Sequence, residues 1–218
     1  MNKFERMYYS IITESITLTD GKSKLVYNSN TGKFDAKGNV KIVEEDLIDG
    51  HFPFPLGEIT GNFDCSGLDS LLTFENGPTK VGKDLDCSNC KQLNSLEGSP
   101  NEIGGSFNCS GCYNLMVLDG ISNNVGKDFI VSGCESLRSI DGAPQLIYGD
   151  FDCSNCLVIE NLIGGPKEVK GNYNCTGCVS LKTLDGAPNN VGKDFICTGC
   201  DKLTSLDAKP RCGGSFRM

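Results

Sequence analysis

Hydrophobic and polar positions along this 218-residue chain follow a pattern that returns every 22 residues. In six of the seven copies an aromatic or Leu side chain is followed two residues later by Cys, and a second Cys usually follows three residues after that position. Two aliphatic positions, three residues apart, come next. The aromatic position is held by Phe63, Leu85, Phe107, Phe129, Phe151, Tyr173 and Phe195. A constant period of about 20–50 residues is the signature of a solenoid, in which each coil packs only against its neighbours.

Each copy is predicted to begin with a short strand, because side chains two residues apart point to one face of an extended chain. The aromatic and the first Cys then face a core, and the residues beside them face outward. Asp/Glu-Gly turns and a recurring Pro favour an extended, non-helical return segment. The sequence therefore predicts a mainly β, right-handed solenoid with a parallel sheet on one face.

Residues 1–62 lack the regular pattern and are predicted to form an N-terminal cap, because terminal coils must be atypical to remain soluble. Residues 8–19 are consistent with a strand or a short helix, and the segments that flank the turn sequence NSNTG predict a hairpin. Three apolar side chains between and beside two prolines are predicted to cover the open end of the core: Phe52, Phe54 and Leu56.

A degenerate first coil is predicted at residues 40–62, where Val40 and Ile42 replace the aromatic and the first Cys. Residues 63–218 then hold seven 22-residue repeats and a truncated C-terminal end. No polar capping element follows the last repeat. Because an exposed strand edge is a template for pairing, this edge predicts a homo-oligomer.

The repeat Phe-x-Cys-x-x-Cys-x-x-Leu-x-x-Leu resembles the leucine-rich-repeat consensus L-x-L-x-x-N/C-x-L-x-x-L, with one additional residue before the third position. Cys-rich and Gly-rich copies such as GKDFICTGCDKLTSLDA are similar to repeat proteins carried by tailed bacteriophages and some bacteria. The resemblance runs from Val40 to about Pro210. It implies a leucine-rich-repeat-like solenoid with a binding surface on the sheet and no catalytic residues to carry over.

Charge narrows the class of partner. The chain has a formal net charge of −8, and residues 63–206 hold 18 acids against 10 bases. An acidic protein disfavours nucleic acid and anionic membranes and suits a basic protein. No apolar run reaches the roughly 18 residues of a membrane-spanning helix, and the first residues lack the apolar region of an export signal. We therefore expect a cytoplasmic protein, which for a phage-encoded chain means the host cytoplasm.

Thirteen cysteines form the most conspicuous chemical pattern. Five pairs have CxxC spacing: Cys87/Cys90, Cys109/Cys112, Cys153/Cys156, Cys175/Cys178 and Cys197/Cys200. This spacing is typical of zinc ligands, but free Cys is also among the most buried residue types. Val131 and Leu68 occupy cysteine positions in two copies, which a core tolerates and a metal site does not. We expect reduced core thiols with no metal or cofactor; a metal- or redox-responsive structural protein is the alternative.

Polar side chains occupy the outward positions on either side of each aromatic. The pre-aromatic row consists of Asn62, Asp84, Ser106, Asp128, Asp150, Asn172 and Asp194. The post-aromatic row consists of Asp64, Asp86, Asn108, Ile130, Asp152, Asn174 and Ile196. Like charges stacked about 4.8 Å apart repel one another, so these acids favour a surface for a basic partner. Solubility and side chain-to-backbone hydrogen bonding provide the alternative explanation.

Departures from the pattern add apolar candidates to this surface, because apolar spots within a polar lattice are typical of partner sites. Ile130 and Ile196 interrupt the post-aromatic row, and Tyr113 and Leu157 are apolar where most copies are polar. Repeat drift, or burial under the cap, is the alternative. The predicted partner-binding residues are Asp84, Asp86, Asp128, Ile130, Asp150, Asp152, Asp194, Ile196, Tyr113 and Leu157.

Enzymatic chemistry is not expected. The chain has a single histidine, His51, outside the regular repeats, so no Ser/His/Asp set can form. The GKD segments are repeat turns that precede no helix, and the acids form ladders without the asymmetric environments that separate an acid from a base. The sequence predicts a non-catalytic protein-interaction module, acting as a phage accessory or anti-defence factor on a host protein. A small-molecule-sequestering protein is a further alternative.

Overall fold

A computed structural model describes residues 15–121 and 124–218. These residues form a mainly β solenoid of about eight coils. The largest element is a nine-stranded parallel sheet, called the front sheet below. Its strands are Val40–Lys41, Phe63–Asp64, Leu85–Asp86, Phe107–Asn108, Phe129–Ile130, Phe151–Asp152, Tyr173–Asn174, Phe195–Ile196 and Phe216–Arg217. Repeats 1 to 7 are numbered here from their front strands, so that repeat 1 starts at Phe63 and repeat 7 at Phe195.

Two smaller sheets form the back of the solenoid. The first has six strands: Ser15–Thr17, Lys24–Asn28, Lys33–Ala36, Leu56–Ile59, Lys80–Val81 and Glu102–Ile103. The second has four: Leu146–Ile147, Glu168–Val169, Asn190–Val191 and Arg211–Cys212. Helix is limited, in the part of the chain described, to the 3-10 turn Glu44–Asp46. These strands confirm the predicted parallel solenoid; its handedness stays a prediction.

The 22-residue period sets the register of the front sheet, in which Phe107 lies beside Phe129 and Phe129 beside Phe151. The chain turns sharply after each strand, because the third residue after it adopts a left-handed conformation that favours Gly or Asn. This row holds Gly67, Asn89, Gly111, Gly133, Asn155, Gly177 and Gly199, with φ between 57° and 71°. The chain is thereby directed from the front sheet into the side wall of each repeat.

One continuous core fills the solenoid, and every predicted inward row from repeat 1 to repeat 6 is buried. The aromatic rings form a column in which neighbouring ring centroids lie 4.8 Å apart for Phe151–Tyr173 and 4.8 Å apart for Tyr173–Phe195. Twelve cysteines are buried and all thirteen are free thiols. The prediction that cysteine lies in the core is therefore confirmed.

The predicted hairpin around NSNTG is present, because Lys24–Asn28 pairs antiparallel with Lys33–Ala36. The second hairpin strand runs parallel to Leu56–Ile59 and so joins the cap to the solenoid. Phe52 and Phe54 are buried as expected. Of the segment at residues 8–19, Ser15–Thr17 is a strand and residues 8–14 lie outside the described residues. The boundary of the cap at residue 62 stays a prediction.

The last front strand, Phe216–Arg217, pairs with Phe195–Ile196 one residue earlier than the period requires. The Phe195 and Phe216 rings are stacked, with 5.4 Å between their centroids. The predicted association of copies through this edge stays a prediction. Within residues 15–121 and 124–218 no helix has the length and apolar character needed to cross a membrane.

Tyr173 generates a prediction about stability, because its buried hydroxyl, which lies near the Cys153 thiol, has no hydrogen-bond partner of regular geometry among the described residues. Other repeats have Phe or Leu at this position. Replacement of Tyr173 by Phe removes a buried, unsatisfied hydroxyl. We expect the free energy of unfolding to rise by about 1–3 kcal/mol, measured by urea denaturation. The matched variant Phe151→Tyr should lower it, and a less stable Y173F protein would contradict the assignment.

Candidate functional site

The candidate site is the outward surface of the front sheet, called the front face below. The pre-aromatic and post-aromatic rows lie on it, and every member of both rows is half-buried. Neighbouring members of a row belong to strands paired in register, as Asp64 and Asp86 show. Paired strands are about 4.8 Å apart, so each row is a regular ladder along the solenoid.

The post-aromatic row closes a turn within each repeat. The Asp86 carboxylate accepts a hydrogen bond from the backbone N–H of Ser88 at 2.9 Å, and Asp152 accepts the same bond from Ser154 at 2.8 Å. Asn108 and Asn174 accept it through their side-chain oxygens. Asp and Asn side chains commonly bond the backbone two residues further on. Ile130 and Ile196 cannot accept this bond, so their repeats form the turn without it.

The pre-aromatic row bonds one repeat to the next. Asp128 Oδ1 accepts the backbone N–H of Asp150 at 2.8 Å, and Asp150 Oδ1 accepts that of Asn172 at 2.7 Å. Asp84 accepts the N–H of Ser106 in the same way at 2.9 Å. The alternative explanation of the acids, side chain-to-backbone bonding, therefore accounts for part of this row.

Each pre-aromatic aspartate leaves room only for glycine at the position that faces it in the next repeat. A Cβ atom at Gly149 would overlap Asp128 Oδ1, and one at Gly171 would overlap Asp150 Oδ1. The chain follows this constraint in each repeat that has Asp in the row: the pairs are Asp84/Gly105, Asp128/Gly149, Asp150/Gly171 and Asp194/Gly214. Lys stands at the equivalent position below Asn62, Ser106 and Asn172. Asp and Gly are thus coupled across each repeat boundary.

On the front face, the ion pairs among the residues described lie only at its two ends. Lys41 pairs with Asp64 at 3.0 Å, and Arg217 pairs with Asp194. Partial burial acts to raise the pKa of Asp64, but hydrogen bonds from Ser66 and Lys41 outweigh it and lower the pKa. Asp86, Asp128, Asp150 and Asp152 have no basic side chain within ion-pair distance in the described part of the chain. The middle of the face therefore carries acids without ion-pair partners.

The second cysteine of repeats 2 to 7 is a hydrogen-bond donor as well as a core residue. Cys90 Sγ donates to the Cys65 carbonyl at 3.0 Å, and Cys112 Sγ donates to the Cys87 carbonyl at 3.2 Å. Cys134, Cys156, Cys178 and Cys200 repeat the arrangement. In an ordinary parallel ladder the Cys65 carbonyl would accept the N–H of Ser88, but Asp86 takes that donor. The thiol satisfies the buried carbonyl instead.

Burial raises the pKa of Cys65 and Cys87 well above the ordinary range and that of Cys197 to about 11, and the contact with Cys178 together with burial raises the pKa of Cys153. The contacts with Cys65 and Cys175 lower the pKa of Cys90 and of Cys200, respectively. Thiolates are the reactive and metal-binding forms of cysteine. The described residues contain no group of three or more His, Cys, Asp or Glu side chains arranged to hold a metal ion. The expected absence of a metal and the metal- or redox-responsive alternative both stay predictions.

The structure separates the ten predicted partner-binding residues into two surfaces. The six aspartates with Ile130 and Ile196 lie together on the front face, whereas Tyr113 and Leu157 lie beyond the bend, on the side wall. Half of the exposed large hydrophobic side chains in the described residues lie on that wall: Tyr113, Met116, Val117, Val158, Ile163 and Val179. Sequence reasoning found Tyr113 and Leu157 but did not separate the side wall from the front face.

An open cleft of about 610 Å³ lies along the hairpin strands and the neighbouring strand Leu56–Ile59 of the first back sheet. Lys24, Tyr27, Asp35, Lys37 and Glu58 are among its lining residues. Asp35 already accepts bonds from Asn28 and from the backbone of Glu58. The cleft is the feature to which the small-molecule alternative would apply.

Sequence reasoning missed the two structural roles that cross repeat boundaries. The Sγ–H donors left no signal beyond the cysteines themselves. The Asp–Gly coupling did leave a signal in the sequence. Where the pre-aromatic residue is Asp, Gly follows it 20 or 21 residues later, whereas Lys follows 21 residues later where the residue is Asn or Ser. A scan of protein-family models, of curated proteins and of solved structures finds no match to this chain.

Thiol accessibility tests the placement of the cysteines. In the native protein we expect an aromatic disulfide reagent to modify Cys212 rapidly, because it is the half-buried cysteine while the other twelve are buried. Denaturant should release all thirteen thiols. The variant Cys212→Ala should remove the rapid phase, and several rapidly reacting thiols in that variant would contradict the buried arrangement.

The Asp–Gly coupling is testable with a double-mutant cycle. Gly149→Ala should lower the free energy of unfolding by about 1–3 kcal/mol, because the added Cβ overlaps the Asp128 carboxylate. Asp128→Ser should recover part of that loss in the double variant. At the equivalent junction Ser106 faces Lys127, so serine leaves room for a side chain there. Urea unfolding of the two single variants and the double variant gives the coupling energy, and strictly additive effects would refute it.

Proposed function

We propose that this chain is a non-catalytic protein-binding module that holds a basic protein partner against its front face. The observation that carries the proposal is the absence of ion-pair partners, among the residues described, for the acids in the middle of that face. Ion pairs between neighbouring repeats do form away from it, at Lys80–Glu102, Lys91–Asp69 and Lys182–Glu160. Acids stacked without bases repel one another, and a basic partner would relieve that repulsion.

The chemistry of the face supports this partner class. Each post-aromatic aspartate uses Oδ1 for its turn, and its carboxylate lies at a half-exposed surface. A row of such groups about 4.8 Å apart presents a stripe of negative potential. Ile130 and Ile196 add apolar contact area on the same row. Electrostatic attraction with apolar anchors is the usual composition of a specific interface.

The proposed biological role follows the resemblance of the repeat to the leucine-rich-repeat consensus and to phage-carried repeat proteins. We propose a leucine-rich-repeat-like accessory factor in the host cytoplasm that occupies a basic surface of a host protein, such as a defence protein or a protein that handles nucleic acid. An acidic face would compete there with the phosphates of a nucleic acid.

Removal of two charges from the middle of the face tests the function. The double variant Asp86→Asn/Asp152→Asn should keep its fold, because Asn108 and Asn174 form the same turn in the same row. The control Glu97→Gln/Asp185→Asn removes two charges from exposed side-wall positions. We expect the wild type and the control to retain a basic protein from a bacterial lysate, and the face variant to lose it.

Calorimetry with the purified captured protein supplies the quantitative measurement. We expect the face variant to weaken affinity about tenfold or more, and added salt to weaken the wild-type affinity, because exposed charges are screened. Equal affinities for the face variant and the control, or no saturable basic partner, would refute the proposed function.

A further inference from the structure

The post-aromatic row repeats itself after three repeats. Its members in repeats 2, 3 and 4 are Asp86, Asn108 and Ile130, and its members in repeats 5, 6 and 7 are Asp152, Asn174 and Ile196. Each residue of the first triplet recurs unchanged 66 residues later. The front face therefore carries the same acid–amide–apolar triplet twice.

This longer period is kept at these front-face positions but only in part on the side wall, where Asp119/Asp185, Ser139/Ser205 and Asp141/Asp207 keep it and repeats 2 and 5 do not. The hydroxyl row two residues further on keeps its chemistry, with Ser88, Ser110 and Ser132 matched by Ser154, Thr176 and Thr198. The side-wall residues of repeat 2 are Lys91, Gln92, Asn94, Ser95 and Glu97. Their counterparts in repeat 5 are Leu157, Val158, Glu160, Asn161 and Ile163, so none is retained. A shared origin of the two blocks accounts for the recurrence, because residues 123–130 and 189–196 are identical beyond the front face as well. The chemistry at the retained positions is therefore the informative feature.

Backbone requirements do not explain the two isoleucines. In the other five repeats this position accepts the backbone N–H two residues further on, which Ile130 and Ile196 cannot do. Both repeats therefore give up a hydrogen bond and place a half-buried apolar side chain at the surface. Isoleucine at this position removes the hydrogen bond of the local turn, and it is the third member of both triplets. We attribute this choice of residue to selection for binding.

We infer that the two triplets are equivalent subsites for one protein partner, which presents a basic group and an apolar side chain to each. The inference rests on the proposed function and specifies how its surface is divided. Asp86 and Asp152 would contact the basic groups, and Ile130 and Ile196 would contact the apolar side chains. The amides between them close their own turns, and Asn174 also donates to Asp152 Oδ2 at 3.2 Å. Three strand spacings of about 4.8 Å place the subsites about 14 Å apart.

This spacing favours one partner over two. A specific interface covers about 800 Å² on each protein, a patch roughly 28 Å across. Two folded partners centred about 14 Å apart would therefore overlap, whereas a single partner spans both subsites. Once the partner occupies one subsite, its binding to the second is intramolecular. Loss of either subsite therefore removes most of the affinity gained by occupying both.

The subsites can be tested with peptides of 20 residues displayed on phage and selected against the immobilised full chain. The strongest selected peptide is synthesised, and fluorescence anisotropy measures its affinity for the wild type, for Ile130→Asn, for Ile196→Asn and for the double variant. Asn is native to this row at positions 108 and 174, so these variants keep a residue that the fold accommodates. Circular dichroism confirms folding, and Ile163→Asn, on the side wall, is the matched control.

We expect both single variants to weaken binding by similar factors of about tenfold or more, the double variant to weaken it further, and the control to leave it unchanged. One peptide should bind per chain. Dependence on a single isoleucine, or two peptides per chain, would overturn the two-subsite inference and leave the proposed function standing. Peptides without basic residues, or binding unaffected by Asp86→Asn/Asp152→Asn, would count against the proposed function itself.

Discussion

The constraint on which this structure depends is the hydrogen bonding of buried backbone where each two-residue front strand ends. A strand this short leaves donors and acceptors that its ladder cannot pair, and unpaired buried groups are costly. Side chains complete the pairing: carboxylates and amides take backbone N–H groups, and cysteine thiols take carbonyls from the preceding repeat. The same residues that give the chain its acidic and sulfur-rich character therefore hold successive repeats in register.

Much of the fold was predictable because the relevant information is local and repeated. The aromatic and the first Cys lie two residues apart, so their shared face can be read from the sequence, and the turn NSNTG marks the hairpin. The bond between Cys90 and the Cys65 carbonyl was not predictable in this way. It joins atoms of two repeats, and it arises because Asp86 takes the donor that a regular ladder would have supplied.

The candidate site was predictable as a surface but not in its internal division. Sequence placed both acidic rows outward, yet Asp128 and Asp150 bond the next repeat while Asp86 and Asp152 close turns within their own. Charge alone does not separate these roles, because all four residues are aspartate on one face. The isoleucines are more informative, since they give up a structural bond, and they mark the part of the surface to which the proposed binding is assigned.

The Asp–Gly coupling also limits how such a chain can change its length during evolution. Loss of the single repeat 85–106 would bring Lys127 beneath Asp84, where only glycine fits. Loss of residues 85–150 would bring Gly171 there, and the boundary would remain compatible. Other single deletions satisfy the rule, since loss of residues 129–150 would bring Gly171 beneath Asp128. The steric rule therefore limits the junctions at which recombination can add or delete repeats.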